Sequence, residues 1–250
     1  MILILAGCST PSTDKIGAVQ GKYKSPAEQV VQGFEDKAAS CLKSKDYTGA
    51  LMNFSAAIEA DPKRADEYVK RGMVHFEMGD FTSAAQDALG ALTLSPGMID
   101  ALRLHGLSHQ KLGDWSAAVA DFDAIIVANP NSEEAYFSRG LTKEMMKDFD
   151  GAILDFTAAI RLKPEHSEAY SYRGVARSNT KDFLNGETDC QHATKLNPGS
   201  AECWYNLGIV RGLNLNTTGA IEAYDRSLQL KPTSEAYLQR SQAKARIHDT

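Results

Sequence analysis

Six of the eight prolines in this 250-residue chain stand 34 residues apart without interruption. They are Pro62, Pro96, Pro130, Pro164, Pro198 and Pro232. A fixed period of this size indicates one supersecondary unit repeated along the chain, and such units stack into a solenoid because none buries its apolar face alone. The repeat therefore constrains both the fold and the kind of function to expect.

Small residues recur at two fixed distances before these prolines. Glycine stands 24 residues before five of them, and alanine stands 12 residues before five. The glycines are Gly72, Gly106, Gly140, Gly174 and Gly208, with Ala38 in their place in the first unit. Large residues such as Phe122 and Phe156 stand eight residues before the proline. Small residues at these spacings let two helices approach closely, and the large side chains fill the remaining space.

A turn signal separates the two small positions. It is Gly79-Asp80 in the second unit, and a Lys-Asp pair replaces it in three others. A glycine that tolerates positive φ can close one helix, and the aspartate carboxylate can accept backbone N–H groups at the start of the next. The proline then ends the second helix, since it has no N–H to donate. Each unit is therefore predicted to be helix, turn, helix.

These residues resemble the tetratricopeptide repeat, a 34-residue helix-turn-helix unit. The resemblance covers about residues 31 to 234 and implies an all-α, right-handed α-solenoid within a domain over 26–250. The six expected repeats are 31–64, 65–98, 99–132, 133–166, 167–200 and 201–234. A seventh first helix, over 235–248, has no partner helix in the chain. Either it caps the solenoid, which we favour, or the sequence stops short of a longer protein.

Composition and motifs exclude several function classes. The net charge is −5, and Lys and Arg are scattered rather than clustered, which argues against nucleic acid as the partner. The chain contains no Gly-rich phosphate loop, HExxH, CxxC pair or GxSxG motif. We therefore expect no enzyme activity, no cofactor and no small-molecule substrate.

The start of the chain suggests where in the cell the protein is located. Residues 1–8 end in Leu-Ala-Gly-Cys, which resembles the lipobox of bacterial lipoproteins. The resemblance implies cleavage before Cys8, lipid on its thiol and attachment to a membrane of the cell envelope. Because Ser9 follows the cysteine, it also implies the outer membrane facing the periplasm, if the cell has two membranes. Residues 9–25 are predicted to be a flexible tether, which begins with the polar, short-sided run of residues 9–14.

One feature disagrees with a complete lipoprotein signal. The apolar run has no Lys or Arg before it and is shorter than a signal peptide needs. The start is therefore expected to be truncated or misassigned. The alternative is a chance apolar start in a cytoplasmic protein.

Two of the remaining cysteines fall on helices that should be neighbours. Cys190 replaces the usual aromatic residue, and Cys203 replaces the usual alanine. In an oxidising envelope these two could form a disulfide. The packing positions favour two small buried thiols instead.

Charged residues show a matched pattern in the four middle repeats. A cationic or protonatable residue 25 positions before the proline is matched by an aspartate nine positions before it. The pairs of opposite charge are Arg71 with Asp87, Arg139 with Asp155, and Arg173 with Asp189, and His105 and Asp121 occupy the same two positions in the third repeat. We predict ion pairs inside each repeat with a structural role, because a half-buried charge requires its partner. Pairing between adjacent repeats is the alternative.

Three histidines raise the question of a metal site. His105 and His109 are four apart on one predicted helix, and His75 lies on the previous first helix. Such spacing is compatible with metal binding. All three occupy positions that the repeat uses for packing, so we expect no metal there.

In the family that these repeats resemble, partners usually bind on the concave face, which the first helices line. The residues predicted to line that groove are apolar or aromatic and lie one or two turns apart on the first helices. They are Met73, Phe76, Leu107, Phe137, Leu141, Met145, Tyr172, Val175, Tyr205 and Ile209. Such a surface suits an extended peptide or an amphipathic helix. The alternative is that part of this stripe only packs between adjacent first helices.

The aromatic anchors place the predicted centre of the groove around Phe137, Leu141, Tyr172 and Tyr205. The Lys and Asn clamp by which chaperone-binding members of the family hold a C-terminal carboxylate is missing. The sequence thus favours a membrane-tethered, non-catalytic scaffold for a protein or peptide partner, which could assist assembly of an envelope complex. A soluble cytoplasmic adaptor or regulator is the alternative, and a metal-binding or hydrolytic protein is a distant third.

Overall fold

The computed structural model describes residues 25–248, and within this range the chain forms thirteen α-helices and no strand. In chain order the helices are α1 (Pro26–Lys43), α2 (Tyr47–Ala60), α3 (Ala65–Glu77), α4 (Phe81–Leu94), α5 (Ile99–Leu112), α6 (Trp115–Ala128), α7 (Glu133–Met145), α8 (Phe149–Leu162), α9 (Ser167–Asn179), α10 (Phe183–Leu196), α11 (Ala201–Leu213), α12 (Thr217–Leu230) and α13 (Ser234–His248). They form six two-helix units followed by α13, which confirms the predicted α-solenoid. The proposed lipidation site Cys8 and the tether up to residue 24 lie outside the described residues.

Side-chain caps fix where the helices begin. At the start of α1 the Ser25 hydroxyl accepts the backbone N–H of Glu28, and the Glu28 carboxylate accepts the backbone N–H of Ser25. Aspartates cap α2, α4, α6 and α8 by accepting the N–H three residues later. Asp182 precedes α10 but accepts a hydrogen bond from the side-chain amide of Asn185 instead.

No helix among residues 25–248 is long and apolar enough to cross a membrane.

In each two-helix unit, the residue before the N-cap of the second helix adopts positive φ, whether or not it is glycine. Gly79 and Gly113 have φ of 82° and 80°, and Lys45, Lys147 and Lys181 also lie in the left-handed region, at 59°, 64° and 70°. For a non-glycine residue this conformation costs roughly 1 kcal/mol or more. The turn is therefore imposed by the packing of the two helices rather than by glycine alone.

The two helices of a unit cross closely where a glycine of the first helix meets a large side chain of the second. A Cβ added to Gly140 would lie 2.7 Å from the ring of Phe156, and one added to Gly208 would lie 2.4 Å from that of Tyr224. Phe156 is fully buried. In these units the first helix thus lacks a side chain where the large residue of the second helix packs against it.

The predicted charge pairs lie together inside each repeat. The Arg139 guanidinium donates two hydrogen bonds to the Asp155 carboxylate, at 2.9 and 2.5 Å. Arg71 donates to Asp87 at 3.0 and 2.6 Å, and Arg173 donates to Asp189 at 2.8 Å twice. These bidentate contacts join the two helices of one unit, and the aspartates are buried.

The same arginines also reach the preceding repeat. The remaining guanidinium nitrogen, Nη1, donates to Ser55 from Arg71, to Asp123 from Arg139 and to Thr157 from Arg173. Both pairing alternatives therefore occur, with the buried aspartate in the same repeat and a hydroxyl or exposed carboxylate in the repeat before. Each arginine therefore connects three helices by hydrogen bonds.

Helix α13 repeats the side-chain pattern of a first helix. Its Arg240 donates to Asp225 of α12 at 2.6 Å and lies 5.3 Å from the ring centre of Tyr237. Arg173 lies over Tyr170 at the same distance. The structure therefore continues the stack through α13.

The packing between repeats determines which side of the stack is inner. From α3 onward each odd-numbered helix contacts the next odd-numbered helix, whereas no two even-numbered helices of the described chain contact one another. The stack therefore curves with the odd-numbered helices on its inside. We call the surface formed by these helices the inner face.

Candidate functional site

Two depressions on the inner face of the described chain contain most of the predicted groove residues, and a smaller hollow of about 120 Å³ between α11, α12 and α13 adjoins the C-terminal one at Ile209. The N-terminal depression lies between α1, α3 and α5 and consists of two adjoining hollows of about 490 and 560 Å³. The two hollows share Lys70, Met73 and Glu77. The C-terminal depression, of about 450 Å³, lies between α7, α9 and α11.

The N-terminal depression has an apolar floor. Met73, Phe76 and Leu107 line it, together with Val69 and Leu42. The side chain of Met73 is unusual for an apolar residue because it is 55% exposed. Three of the predicted groove residues thus lie in this depression.

Carboxylates dominate the rim of the N-terminal depression. Its charged residues are Glu35, Asp36, Asp66, Glu77 and Asp100, with Lys70 and Arg103 as the cations. Both cations are already paired, since Lys70 donates to Glu35 and Glu67, and Arg103 donates to Asp100. The rim therefore presents a net negative charge to any ligand on this floor.

Two rim carboxylates, Glu35 and Asp66, form a compact cluster with the buried Glu67. Glu35, Asp66 and Glu67 are the one group of three metal-type side chains found among residues 25–248. Lys70 occupies this cluster, with its ammonium 2.9 Å from the Glu67 carboxylate. Burial raises the pKa of Glu67 to about 7, and its Oε2 atom has no hydrogen-bond partner. The lysine supplies the positive charge that a metal would otherwise bring.

The C-terminal depression combines aromatic, apolar and acidic side chains. The predicted groove residues that line it are Met145, Tyr172, Val175, Tyr205 and Ile209. Met145 is 61% exposed, whereas Val175 is buried at the base. Glu144 and Glu202 also line the depression, and the Tyr172 hydroxyl donates to Glu202. Burial raises the pKa of Tyr172, so its hydroxyl remains a donor at neutral pH.

Glu144 and Glu77 are the two carboxylates of the depressions without a partner among residues 25–248, and of these Glu144 is partly buried whereas Glu77 is exposed. The Glu144 carboxylate has no hydrogen bond or ion pair to any of the described residues 25–248, although the side chain is partly buried. Burial alone raises its pKa to about 7. A carboxyl group in this setting has lost part of its contact with water without gaining a protein partner.

Two residues predicted to form the centre of the groove lie in neither depression. Phe137 packs against Phe156 and Tyr172, with ring centres 5.8 and 5.9 Å apart. Leu141 packs in the same core cluster. These two side chains fill the space between repeats, which was the alternative interpretation of the apolar stripe.

The three histidines lie beside aspartates or one another rather than around a common centre. His105 Nδ1 lies 2.8 Å from Asp121 Oδ2, in the place that arginine takes in neighbouring repeats. His105 Nε2 lies 3.2 Å from His109 Nε2, whereas His75 faces Asp80 at 3.6 Å. Within the described chain these three side chains do not converge into one three-ligand group.

The cysteines Cys190 and Cys203 are free thiols, and both are completely buried. Cys190 Sγ lies 3.4 Å from the Ser171 carbonyl oxygen. Burial raises the pKa of both thiols, so they remain protonated and unreactive at neutral pH.

Sequence reasoning missed the acidic residues of the inner face. Glu77 and Glu144 stand 19 and 20 residues before their prolines, at positions that carry unrelated residue types in other repeats. A carboxylate on the helix face that also carries Met73 or Met145 was the available signal. A stripe defined by apolar residues alone does not reveal it.

The described chain is thus a helical-repeat protein whose inner face has two apolar depressions that also contain acidic residues. Stacks of paired helices of this kind form a class of proteins that bind other proteins. Models of the tetratricopeptide repeat match residues 36–99 and 103–144, and a second model of the same repeat matches 133–166. The chain belongs to the tetratricopeptide repeat family. No curated protein sequence matches it.

Solved structures with the same fold support this assignment. A tetratricopeptide repeat protein from Parabacteroides merdae superimposes with a TM-score of 0.79 at 16% identity, covering 88% of each chain. The pilF protein of Pseudomonas aeruginosa gives 0.71 at 14% identity, covering 89% of this chain and all of that one. YrrB, described as a TPR protein with an unusual peptide-binding site, gives 0.58 at 19% identity, covering 76% and 97%. At these identities the likeness concerns the fold.

Proposed function

We propose that this protein is a non-catalytic scaffold that binds a peptide or helix of a partner protein on its inner face. The exposed methionines carry this proposal. Met73 and Met145 are 55% and 61% exposed at the two depressions, each beside partly buried aromatic rings. Exposed apolar side chains that adjoin other apolar residues in a depression, rather than standing singly, mark places where a partner removes them from water. YrrB, which shares the fold, is described as having a peptide-binding site.

A peptide selection tests this function, because a random library samples many candidate ligands at once. A phage-displayed library of random peptides would be selected on the wild-type protein, and the affinities of the enriched peptides measured. Replacing both Met73 and Met145 with aspartate is expected to weaken binding at least about tenfold, because truncation of anchor contacts typically costs more than 1 kcal/mol. The exposed positions should tolerate the change without loss of fold.

A matched control uses another exposed methionine. Met52 is 70% exposed and lies on the even-numbered helix α2, away from both depressions. The variant Met52→Asp should bind the selected peptides as wild type does. Equal binding by the double variant, or failure to enrich any peptide, would contradict the function.

We further propose that the scaffold is held at a membrane through lipid on Cys8, with residues 9–25 as its tether. The lipobox-like sequence before Cys8 supports this address. Two or more acyl chains anchor a protein stably, where one gives marginal binding. Such a tether would let the repeats act in assembly of an envelope complex.

The anchor is tested by expressing the chain behind its native upstream sequence in a bacterial host. Mass spectrometry of the N-terminal peptide should find diacylglyceryl-modified Cys8, with the protein in the membrane fraction. Cys8→Ser should move the protein to the soluble fraction. Unmodified Cys8 in a soluble wild-type protein would favour the cytoplasmic adaptor instead.

A further inference from the structure

We propose that the C-terminal depression is a subsite for an arginine or lysine side chain of the bound peptide, with Glu144 as its counter-ion. The proposal rests on the proposed function, since it assigns a residue of the peptide to one place on the inner face. It narrows the partner to a segment that carries a cationic residue among its apolar anchors.

The geometry around Glu144 supports a cationic ligand. The carboxylate is partly buried and has no hydrogen-bond or ion-pair partner within residues 25–248. The second carboxylate of the depression, Glu202, is held by the Tyr172 hydroxyl and keeps further lone pairs for a donor. Two carboxylates in one partly enclosed place favour a cation over a neutral group, because the field between them is less screened than in open water.

The aromatic rings suit the same kind of ligand. Tyr172 and Tyr205 both line the depression, and tyrosine faces attract ammonium and guanidinium groups. Val175 and Ile209 provide apolar surface for the aliphatic stem of the side chain. A guanidinium offers five donors in a plane, so it can make a bidentate contact with the Glu144 carboxylate.

The protein's own cations leave this site open. Lys147 also lines the depression, but its ammonium makes no ion pair with Glu144 among the described residues. The N-terminal depression is different, since Lys70 and Arg103 already pair with carboxylates there. The remaining carboxylate of that depression without a partner in the described chain, Glu77, is exposed, whereas Glu144 is partly buried and still open to an incoming cation.

The test uses the peptides selected on the wild-type protein. Enriched sequences should share an arginine or lysine. Replacing that arginine with citrulline, its neutral isostere, or that lysine with norleucine, should weaken binding to wild type about tenfold or more, as expected for loss of a charge-assisted hydrogen bond. The same replacement should change binding to Glu144→Gln less than about twofold.

Glu222→Gln is the matched control, because Glu222 is exposed on α12 and lies outside all the inner-face depressions. It should show the full wild-type penalty for citrulline or norleucine. Selected peptides that lack a shared cation, or an unchanged penalty in Glu144→Gln, would overturn the subsite while leaving peptide binding intact. If no peptide is enriched at all, the proposed function fails first and this inference with it.

Discussion

Replacing Asp155 with alanine is expected to lower the free energy of unfolding by about 3 kcal/mol. Asp155 is 3% exposed and accepts two hydrogen bonds from Arg139 and one contact from Lys143, whose ammonium lies 2.8 Å away. Its removal leaves two cations facing each other in a half-buried joint between helices. The melting temperature should fall by about 6 to 12 °C for a chain of this size.

Asp123 provides the control, because it is paired with the same arginine from the exposed side. Its side chain is 51% exposed. Asp123→Ala should cost less than about 1 kcal/mol, as exposed ion pairs usually do. Thermal unfolding followed by circular dichroism measures both variants. Equal melting temperatures for wild type and Asp155→Ala would show that the buried pairs do not hold the repeats together.

Gly174→Ala is expected to destabilise the fifth repeat by about 2 to 3 kcal/mol. The added Cβ would lie 2.5 Å from the sulfur of Cys190 and 2.6 Å from the carbonyl oxygen of Gly186. A backbone carbonyl cannot rotate away as a flexible side chain can, so α9 and α10 must separate. This loss exceeds the roughly 1 kcal/mol that alanine gains over glycine in a helix.

The same substitution at Gly33 should have the opposite sign. Gly33 lies inside α1, is exposed, and a Cβ there would meet nothing within 4 Å. Gly33→Ala should therefore raise stability by about 0.5 to 1 kcal/mol. Chemical denaturation of both variants gives the comparison. If Gly174→Ala were as stable as Gly33→Ala, the close crossing of α9 and α10 would be wrong.

The fold could be predicted closely because its signals repeat. The regular prolines give the ends of the second helices, and turn residues such as Asp80 and Asp148 give their starts. The sequence also predicts the pairing of Arg139 with Asp155, since the two residue types change together along the chain. It could not predict the added contact from Arg139 to Asp123, because that depends on how one repeat rotates against the next.

The binding surface was harder to predict for a related reason. On a first helix, a residue that faces the inner surface and one that packs against the neighbouring repeat are only one turn apart. Phe137 and Met145 therefore both belong to the apolar stripe of α7 in the sequence. In the structure, Phe137 packs among aromatic rings, whereas Met145 is exposed. Glu144 could not be judged from sequence, since its lack of a partner depends on three helices at once.

Methyl NMR of the methionines gives the sharpest test of whether partners bind the inner face. The chain has seven methionines, and Met73 and Met145 lie at the two depressions while Met52 lies on α2. On addition of a selected peptide, the methyl signal of Met73, Met145 or both should shift, and that of Met52 should stay in place. A shift of Met52 with Met73 and Met145 unchanged would place binding on another surface and contradict the proposed function of the inner face.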